Sequence, residues 1–335
     1  MLPLKRFWLL SIKLIVTIGL VAVLLSNADW SAVFGQARQI HIMLILATFA
    51  ILTLSVTISA YKWQLFLSIH GLKYNFSRLH RYYFIAMYIN NFLPTSIGGD
   101  GYRVYKTLDN NRSRSSALIA VIMERVTGLS ALLILAYVSA IYLFVIKRDP
   151  IAINFIIFCT ASGAGVVIAY LVFPSRYMHR LKDRFARLSG VLDTISSHLD
   201  DYVSHWGLTV KVIVVSFLFH LHLCLAYVLL LNVGLDLSVT LPELFVVLAA
   251  VGLISVLPIS INGIGVVEGT FIFLIGQFDV GYDDALMVAL LLRLLVIPIS
   301  IIGAVFYLAG DSRLSDESAI SLSSAPEDRK QTGHQ

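Results

Sequence analysis

A nine-residue motif occurs twice in this sequence and constrains the fold more than any other feature. Residues 93–101 read LPTSIGGDG and residues 257–265 read LPISINGIG; six of the nine positions are identical, at a separation of 164 residues (257 minus 93). Pro and Gly at this density predict a break in each helix. The alternative is chance similarity between apolar segments, but the shared positions include Pro, Ser and two Gly. Paired breaks in two halves are typical of a transporter binding site.

Composition indicates an integral membrane protein. The chain has 335 residues, of which 58% are hydrophobic and 13% charged, whereas soluble domains carry about 25% charge. Apolar segments leave no stretch long enough for a soluble catalytic domain of about 100 residues, so we expect no enzyme and no cofactor. Cys159 and Cys224 lie in apolar runs and predict no disulfide. The net charge of +5 informs topology and gives no reason to expect nucleic acid as a partner.

Six apolar segments have the length of a transmembrane helix. They cover residues 7–26, 42–60, 117–146, 151–173, 208–233 and 285–309. The first segment has an alternative interpretation as a cleaved signal peptide, because Ser26, Asn27 and Ala28 resemble a cleavage site. Its length favours an uncleaved helix, and the preceding Lys5 and Arg6 place the N-terminus in the cytoplasm.

Shorter apolar segments flank the two motif copies and predict re-entrant hairpins. Residues 82–94 are too few to cross a bilayer comfortably, and basic residues lie on both sides of this first hairpin. We expect them in two cytoplasmic loops, the loop before the hairpin with Lys62, Lys73, Arg78 and Arg81, and the loop after it with Arg103, Lys106, Arg112 and Arg114. Around the second copy, residues 212–292 contain no Lys or Arg, which predicts a hairpin of residues 241–257 and 266–278 entering from outside. The two hairpins therefore predict an inverted repeat.

The fold class that follows is an all-α polytopic membrane protein with about six full transmembrane helices and two re-entrant broken-helix hairpins. Apolar residues recur at heptad spacing over 178–206 and predict a cytoplasmic amphipathic helix at 174–207 within a membrane domain of residues 1–310. This seam either packs on the chain's own membrane domain or contacts a partner, including a second copy. Residues 311–335 are polar and Ser-rich and predict a disordered cytoplasmic tail.

Six ionisable side chains lie in or beside the apolar segments. They are Asp100, Arg103, Glu124, Arg125, Glu268 and Arg293. An unpaired charge within a bilayer costs several kcal/mol, so such residues are functional candidates by default. The arginine fork suits phosphate, which predicts Arg103, Arg125 and Arg293 as ligands of a lipid phosphate. Asp100, Glu124 and Glu268 then balance charge or couple protons; the alternative is that all six only hold helices together.

The motif copies supply candidate gate residues. These are Pro94, Gly98, Gly99 and Gly101 in the first copy, and Pro258, Asn262, Gly263 and Gly265 in the second. Asn90 and Asn91 precede the first break and are candidates for capping freed backbone groups. Glu124 and Arg125 point about 100° apart on a helix, which predicts different partners for them.

No metal site and no nucleotide-hydrolysis machinery is expected. His220 and His222 fall on nearly opposite faces of a helix, and His220 with Cys224 alone provides too few ligands for a metal. Motifs for phosphate-binding loops, serine hydrolases and zinc peptidases are absent from the sequence.

Over roughly residues 7–309 the chain resembles the lysylphosphatidylglycerol synthase transmembrane-region family, also called the flippase-like domain family. The residues that carry the resemblance are Pro94, Gly98, Gly99, Asp100, Arg103, Glu124, Arg125, Gly128, Pro258, Gly263, Ile264, Gly265, Glu268 and Arg293. Asp100 stands where the family often has Glu, and Asn262 where it often has Gly. In the multiple peptide resistance factors, a similar membrane domain moves aminoacylated phosphatidylglycerol to the outer leaflet. A separate soluble domain, without counterpart in this sequence, performs the aminoacylation.

The resemblance therefore implies translocation rather than lipid synthesis. We expect a multi-pass inner-membrane translocase, with both termini cytoplasmic, for an anionic or aminoacylated phospholipid or another phosphate-bearing lipid such as a polyprenyl lipid. The first alternative is a membrane accessory or enzyme in polyprenyl-phosphate-linked sugar or envelope glycan assembly. The second is a structural partner that docks through the seam at residues 178–206.

Overall fold

The computed structural model describes residues 2–92, 98–108, 114–148, 152–157, 160, 201–202, 204–257 and 259–310, with side chains from residue 11 onward except at residue 114. All regular structure in these residues is helical, so the predicted all-α fold is confirmed. Most of the predicted span at 151–173, most of the amphipathic helix at 174–207, and the tail at 311–335 lie outside the described residues.

Ten α-helices form the described framework. They are α1 (Leu2–Ser26), α2 (Trp30–Gln39), α3 (Ile42–Ile69), α4 (Phe76–Phe92), α5 (Gly98–Lys106), α6 (Arg114–Tyr142), α7 (Trp206–Val228), α8 (Leu241–Val256), α9 (Val266–Ile275) and α10 (Tyr282–Leu308). A π-helical turn at Leu143–Lys147 extends α6, and another at Leu229–Gly234 extends α7. Short 3-10 turns cover Ile261–Gly263 and Gly276–Phe278 on either side of α9.

Five helical segments of the described chain have the length and apolar composition of a membrane span. They are Ile42–Ile69, Ser115–Lys147, Trp206–Gly234, Ile261–Phe278 and Tyr282–Leu308. A sixth results if Ser11–Ser26 and Trp30–Gln39, bent by 82° at their junction, count as one span. The segment Ile261–Phe278 contains the outgoing arm of the second predicted hairpin, and its incoming arm is the shorter α8.

The predicted end of the second span at residue 60 is wrong. Helix α3 continues to Ile69 because Trp63, Phe66 and Leu67 extend the apolar sequence and are buried at 0 to 1% exposure. Lys62 therefore lies inside α3 and is buried, although the sequence analysis placed it in a basic loop.

Two further basic residues lie on a helix rather than in that loop. Helix α4 begins at Phe76, six residues before the predicted start of the hairpin arm (82 minus 76), so Arg78 and Arg81 lie on its first turns. The loop between α3 and α4 consequently retains only Lys73 from the basic set.

Contacts between α4 and α10 show how far the first hairpin extends along α10. Arg81 of α4 stacks over Phe306 with its guanidinium 5.5 Å from the ring centroid. One turn further along α4, the carbonyl of Phe84 packs so closely on Gly303 that a Cβ there would overlap it. At the end of α4, Asn91 donates a hydrogen bond to Ser300. Helix α4 thus runs antiparallel to α10 and ends at the level of Ser300.

The second hairpin reaches the same level from the opposite end of α10. Asn262, in the second break, contacts Asn91 at the level of Ser300. Helix α9 then runs away from this point, because Glu268 pairs with Arg293, closer to the beginning of α10. The two hairpins therefore approach one another from opposite ends of α10, while the inverted repeat itself stays a prediction. The end that faces the cytoplasm stays a prediction.

Helix α1 packs against the second break. The Ile261 amide donates to Thr17 Oγ1 at 3.0 Å, and a Cβ at Gly265 would lie 2.8 Å from the Cβ of Leu20. Near the end of α1, the Tyr282 hydroxyl donates to the Leu24 carbonyl at 2.8 Å. The first apolar segment thus contacts both the second break and the beginning of α10.

The described end of the heptad seam packs on α3. Tyr202 is 8% exposed, its ring lies 6.1 Å from that of Phe66, and its hydroxyl lies 2.9 Å from His70 Nε2. His70 Nδ1 lies 3.0 Å from Asp201. Burial raises the pKa of the Tyr202 phenol. Trp206, the last seam residue, begins α7 and is 71% exposed.

Candidate functional site

The first break is closed by an asparagine cap and a close helix contact. Asn90 Oδ1 accepts a hydrogen bond from the Gly99 amide at 2.8 Å, so the predicted capping role of Asn90 is confirmed. A Cβ at Gly99 would overlap the carbonyl oxygen of Ala86, which is why α4 and α5 can pack so closely here. Gly98 begins α5 and Gly101 lies within it, with open space where its Cβ would be. Pro94 lies outside the described residues.

The second break uses a different backbone conformation. Asn262, Gly263 and Gly265 adopt φ angles of 50°, 71° and 82°, in the region that favours glycine and tolerates asparagine. The Glu268 carboxylate accepts the Gly265 amide at 2.7 Å and so caps the beginning of α9. Pro258 lies outside the described residues.

The two breaks meet through a direct hydrogen bond. Asn262 Nδ2 donates to Asn91 Oδ1 at 2.7 Å, and Asn91 Nδ2 donates to the Ser300 hydroxyl. Sequence reasoning considered Asn91 only as a local cap and missed this link. A polar amide beside each break was the available signal, because polar side chains deep in apolar segments tend to pair with one another.

We call the ionisable group of Lys62, Asp100, Arg103, Glu124 and Arg125 the first-half cluster; Lys62, Arg103 and Glu124 are its buried members. Arg103 donates to Glu124 at 2.5 Å and to Asp100 at 2.7 Å. Arg125 Nε donates to the other oxygen of Asp100 at 2.6 Å. Glu124 and Arg125 thus have different partners, as their helical positions predict. One continuous network nevertheless joins the two arginines and the two carboxylates of the cluster.

Arg103 is the most enclosed member of this network. It is 2% exposed and its guanidinium lies 5.1 Å from the ring centroid of Trp63 and 4.5 Å from that of Tyr83. The Tyr83 hydroxyl donates to Glu124 at 2.9 Å. Two carboxylates and two aromatic faces therefore satisfy Arg103, which favours a positioning role for this residue.

Lys62 is the member of the first-half cluster that the sequence analysis did not identify as a site residue. It is 5% exposed, and its Nζ lies 5.6 Å from the ring centroid of Phe219. A Cβ at Gly128 would lie 3.1 Å from Lys62 Nζ, so this glycine leaves room for the ammonium group. The signal available in the sequence was the apolar stretch that continues after Lys62 to the end of α3.

The two histidines of α7, His220 and His222, lie within hydrogen-bond distance of backbone carbonyls. His220 Nε2 lies 2.8 Å from the Gly128 carbonyl oxygen, and His222 Nε2 lies 2.9 Å from that of Ile51. In the part of the chain that the structure describes, no group of three or more His, Cys, Asp or Glu side chains is placed to hold a metal ion.

Among the described residues of the second half, one carboxylate–arginine pair lies beside a cavity. Arg293 Nε donates to Glu268 Oε1 at 2.6 Å; the side chains are 28% and 8% exposed, respectively. The cavity has a volume of about 170 Å³, and its other lining residues include Tyr227, Phe271 and Leu292. The site is therefore a cationic group at the margin of an apolar chamber.

The two halves share one geometric element. Asp100 and Glu268 are each the third residue of the helix that follows a break, α5 and α9. Each carboxylate binds the Nε of an arginine 25 residues later, Arg125 and Arg293. We call these two contacts the paired carboxylate–arginine bridges.

The bridges give each half a cation that can exchange partners. Arg125 has a side chain that is 57% exposed, although Asp100 holds its guanidinium. An incoming phosphate can replace the carboxylate on such a guanidinium because both anions accept two parallel hydrogen bonds. Both bridges are therefore chemically suited to hold a phosphate, the second of them beside an apolar cavity.

Comparison with known proteins gives one family match. The family model described as Lysylphosphatidylglycerol synthase TM region matches residues 10–303. No curated protein and no solved structure matches the chain. Because the family model covers most of the sequence, including both breaks and both bridges, the chain belongs to the lysylphosphatidylglycerol synthase transmembrane-region family.

Proposed function

We propose that this membrane protein is a lipid translocase, which moves a phosphate-bearing lipid between leaflets without hydrolysing a nucleotide. The observation that carries the proposal is the meeting of two broken hairpins at Asn91 and Asn262, each followed by a carboxylate–arginine bridge. Breaks of this kind interrupt the helical barrier at one depth, where irregular backbone is tolerated beside a cavity. The bridges keep both arginines neutralised while no lipid is bound.

In this mechanism Arg125, which is exposed, and Arg293, which is partly exposed, bind the lipid phosphate. Arg125 and Arg293 exchange their carboxylates for phosphate, and Asp100 and Glu268 balance the charge of the empty site or carry protons. Arg103 and Glu124 position Asp100, since both are almost completely buried. The contact between Asn91 and Asn262 forms the gate, which opens as the phosphate passes.

A leaflet-specific assay tests the mechanism. Purified protein is reconstituted in liposomes with a fluorescent phosphatidylglycerol, and the fraction accessible to an external quencher is followed with time. Arg125→Ala and Arg293→Ala each remove charge-assisted hydrogen bonds worth about 1.5–3 kcal/mol, so we expect the rate to fall at least about tenfold. Arg38→Ala, at the end of α2, is the matched control and leaves the rate unchanged.

Two results would remove the proposal. Unchanged rates in both arginine variants would show that the bridges do not handle the lipid. A co-purified polyprenyl-linked sugar, identified by mass spectrometry, together with no leaflet exchange by the wild type, would instead support the role in envelope glycan assembly.

A further inference from the structure

Lys62 gives the first-half cluster one positive charge more than its carboxylates can neutralise. The cluster contains three cations, Lys62, Arg103 and Arg125. It contains two carboxylates, Asp100 and Glu124, and each of them already binds an arginine. The bridge between Glu268 and Arg293 in the second half is balanced. The excess charge is therefore specific to one half of the molecule.

The excess charge lies in a poorly solvated position. Lys62 is 5% exposed and, among the described residues, no carboxylate lies within ion-pair distance of its Nζ. The ring of Phe219 is a weak substitute for a carboxylate. His220, which faces the nearby Gly128 carbonyl, contributes no negative charge in either protonation state. An anion that binds nearby stabilises the ammonium form of Lys62, and that form in turn attracts the anion.

Arg125 is the accessible face of the cluster. Its side chain is 57% exposed, whereas Asp100 is 14% exposed and Glu124 is 6% exposed. An anion can therefore bind the Arg125 guanidinium and be attracted at the same time by the positive charge of the buried Lys62. Electrostatic interactions in a low-dielectric interior extend over several ångströms, so Lys62 need not contact the anion.

We propose that the first-half cluster binds the phosphodiester of a lipid whose head group carries no cation, and that Lys62 supplies the compensating charge. This inference rests on the proposed function and narrows its substrate class. A phosphodiester carries one negative charge, which equals the excess of the cluster. A cationic aminoacyl head group would need a carboxylate, and Asp100 and Glu124 are both occupied by arginines.

Equilibrium binding tests the charge requirement. Wild type, Lys62→Met and Lys62→Arg are titrated in detergent with phosphatidylglycerol and with lysylphosphatidylglycerol. We expect the wild type to bind phosphatidylglycerol at least tenfold more tightly than lysylphosphatidylglycerol. We expect Lys62→Met to bind phosphatidylglycerol at least tenfold more weakly than the wild type does. Lys62→Arg should stay within threefold of wild type. Lys211→Met is the control, because Lys211 also stacks on an aromatic ring, that of Tyr61, but is exposed.

Two soluble competitors separate a lipid head group from free phosphate. Glycerophosphoglycerol, the deacylated head group, should displace phosphatidylglycerol from the wild type, and inorganic phosphate should do so more weakly. Equal competition by inorganic phosphate would overturn the assignment to a phosphodiester lipid. Tighter binding of lysylphosphatidylglycerol, or unchanged phosphatidylglycerol affinity in Lys62→Met, would overturn the charge argument.

Thermal stability distinguishes this role from a structural one. Removing an uncompensated buried charge should raise the Tm of the lipid-free protein in Lys62→Met, while the rise in Tm on adding phosphatidylglycerol should disappear. A lower Tm in the lipid-free variant would identify Lys62 as a structural contact and overturn the inference.

The binding result is independent of translocation. Lys62-dependent binding by a wild type that moves no lipid in the leaflet assay would remove the proposed function and leave this inference intact. Normal translocation by the wild type with unchanged binding in Lys62→Met would remove only this inference.

Discussion

The two halves of the molecule use the same bridge in different surroundings. In both, the third residue of the post-break helix binds an arginine 25 residues later, so the bridges repeat at an interval of 168 residues (268 minus 100). At that interval, Phe271 and Leu292 stand where the first half has Arg103 and Glu124. One half therefore surrounds its bridge with further charges, and the other surrounds it with an apolar cavity.

This difference distinguishes the residues that form the bridge in both halves from the surrounding residues that each half adds. Since the second half forms its bridge between Glu268 and Arg293 alone, a neighbouring ion pair is not a general requirement of such a bridge, and Arg103 and Glu124 are an addition of the first half. Together with Lys62, they are the members of the first-half cluster that have no counterpart around the second bridge. The apolar surroundings of Arg293 instead suit a lipid phosphate whose acyl chains follow it.

The largest expected effect comes from breaking the additional ion pair. Glu124→Leu leaves Arg103 with a single carboxylate in a buried position, which should lower the free energy of unfolding by about 3–5 kcal/mol. The double variant Arg103→Phe with Glu124→Leu copies the residues of the second half and should recover most of this loss. Chemical unfolding in mixed micelles measures both. A double variant no more stable than the single variant would contradict the comparison.

A smaller effect should distinguish the last glycine of each motif copy. Gly265→Ala places a Cβ at φ 82° and 2.8 Å from Leu20, so we expect a loss of about 2–3 kcal/mol in unfolding free energy. Gly101→Ala fills open space within a helix and should gain about 0.5–1 kcal/mol. Equal effects on the unfolding midpoint would show that the two glycines are equivalent.

The smallest expected effect lies where the halves meet. A double-mutant cycle of Asn91→Ala and Asn262→Gly should give a coupling energy of about 1 kcal/mol, the value of one neutral hydrogen bond. Glycine is chosen at residue 262 because it retains the φ of 50°. Unfolding free energies of the four proteins provide the measurement, and strictly additive effects would mean that the two breaks are energetically independent.

Local sequence signals predicted much of the fold. The Pro- and Gly-rich motifs located both breaks, because those residues act through the backbone of their own segment. Continuous apolar sequence located α6, α7 and α10 to within a few residues. Charged residues in apolar segments identified every arginine and carboxylate that forms the two bridges, since such charges are too costly to be incidental.

Contacts between distant segments could not be predicted in this way. Measured from the motif copies, Arg125 and Arg293 stand 24 and 28 residues beyond Gly101 and Gly265. The bridges show that the spacing should be counted from the carboxylates, since each arginine stands 25 residues after its own carboxylate. The two spacings counted from the glycines differ by four residues, which is about one helical turn and therefore keeps the same helix face. Lys62 was misplaced for a related reason, because a positive charge signals a loop unless the tertiary partners that bury it are known.

The contacts of α1 also bear on how the protein is made. The Thr17 hydroxyl emerges from the ribosome 244 residues before its partner Ile261. At synthesis rates of about 5–20 residues per second, this interval lasts roughly 10 to 50 s. During that time α1 waits in the bilayer without its final neighbour. The second break can thus form its contact with α1 only after residue 261 has been translated.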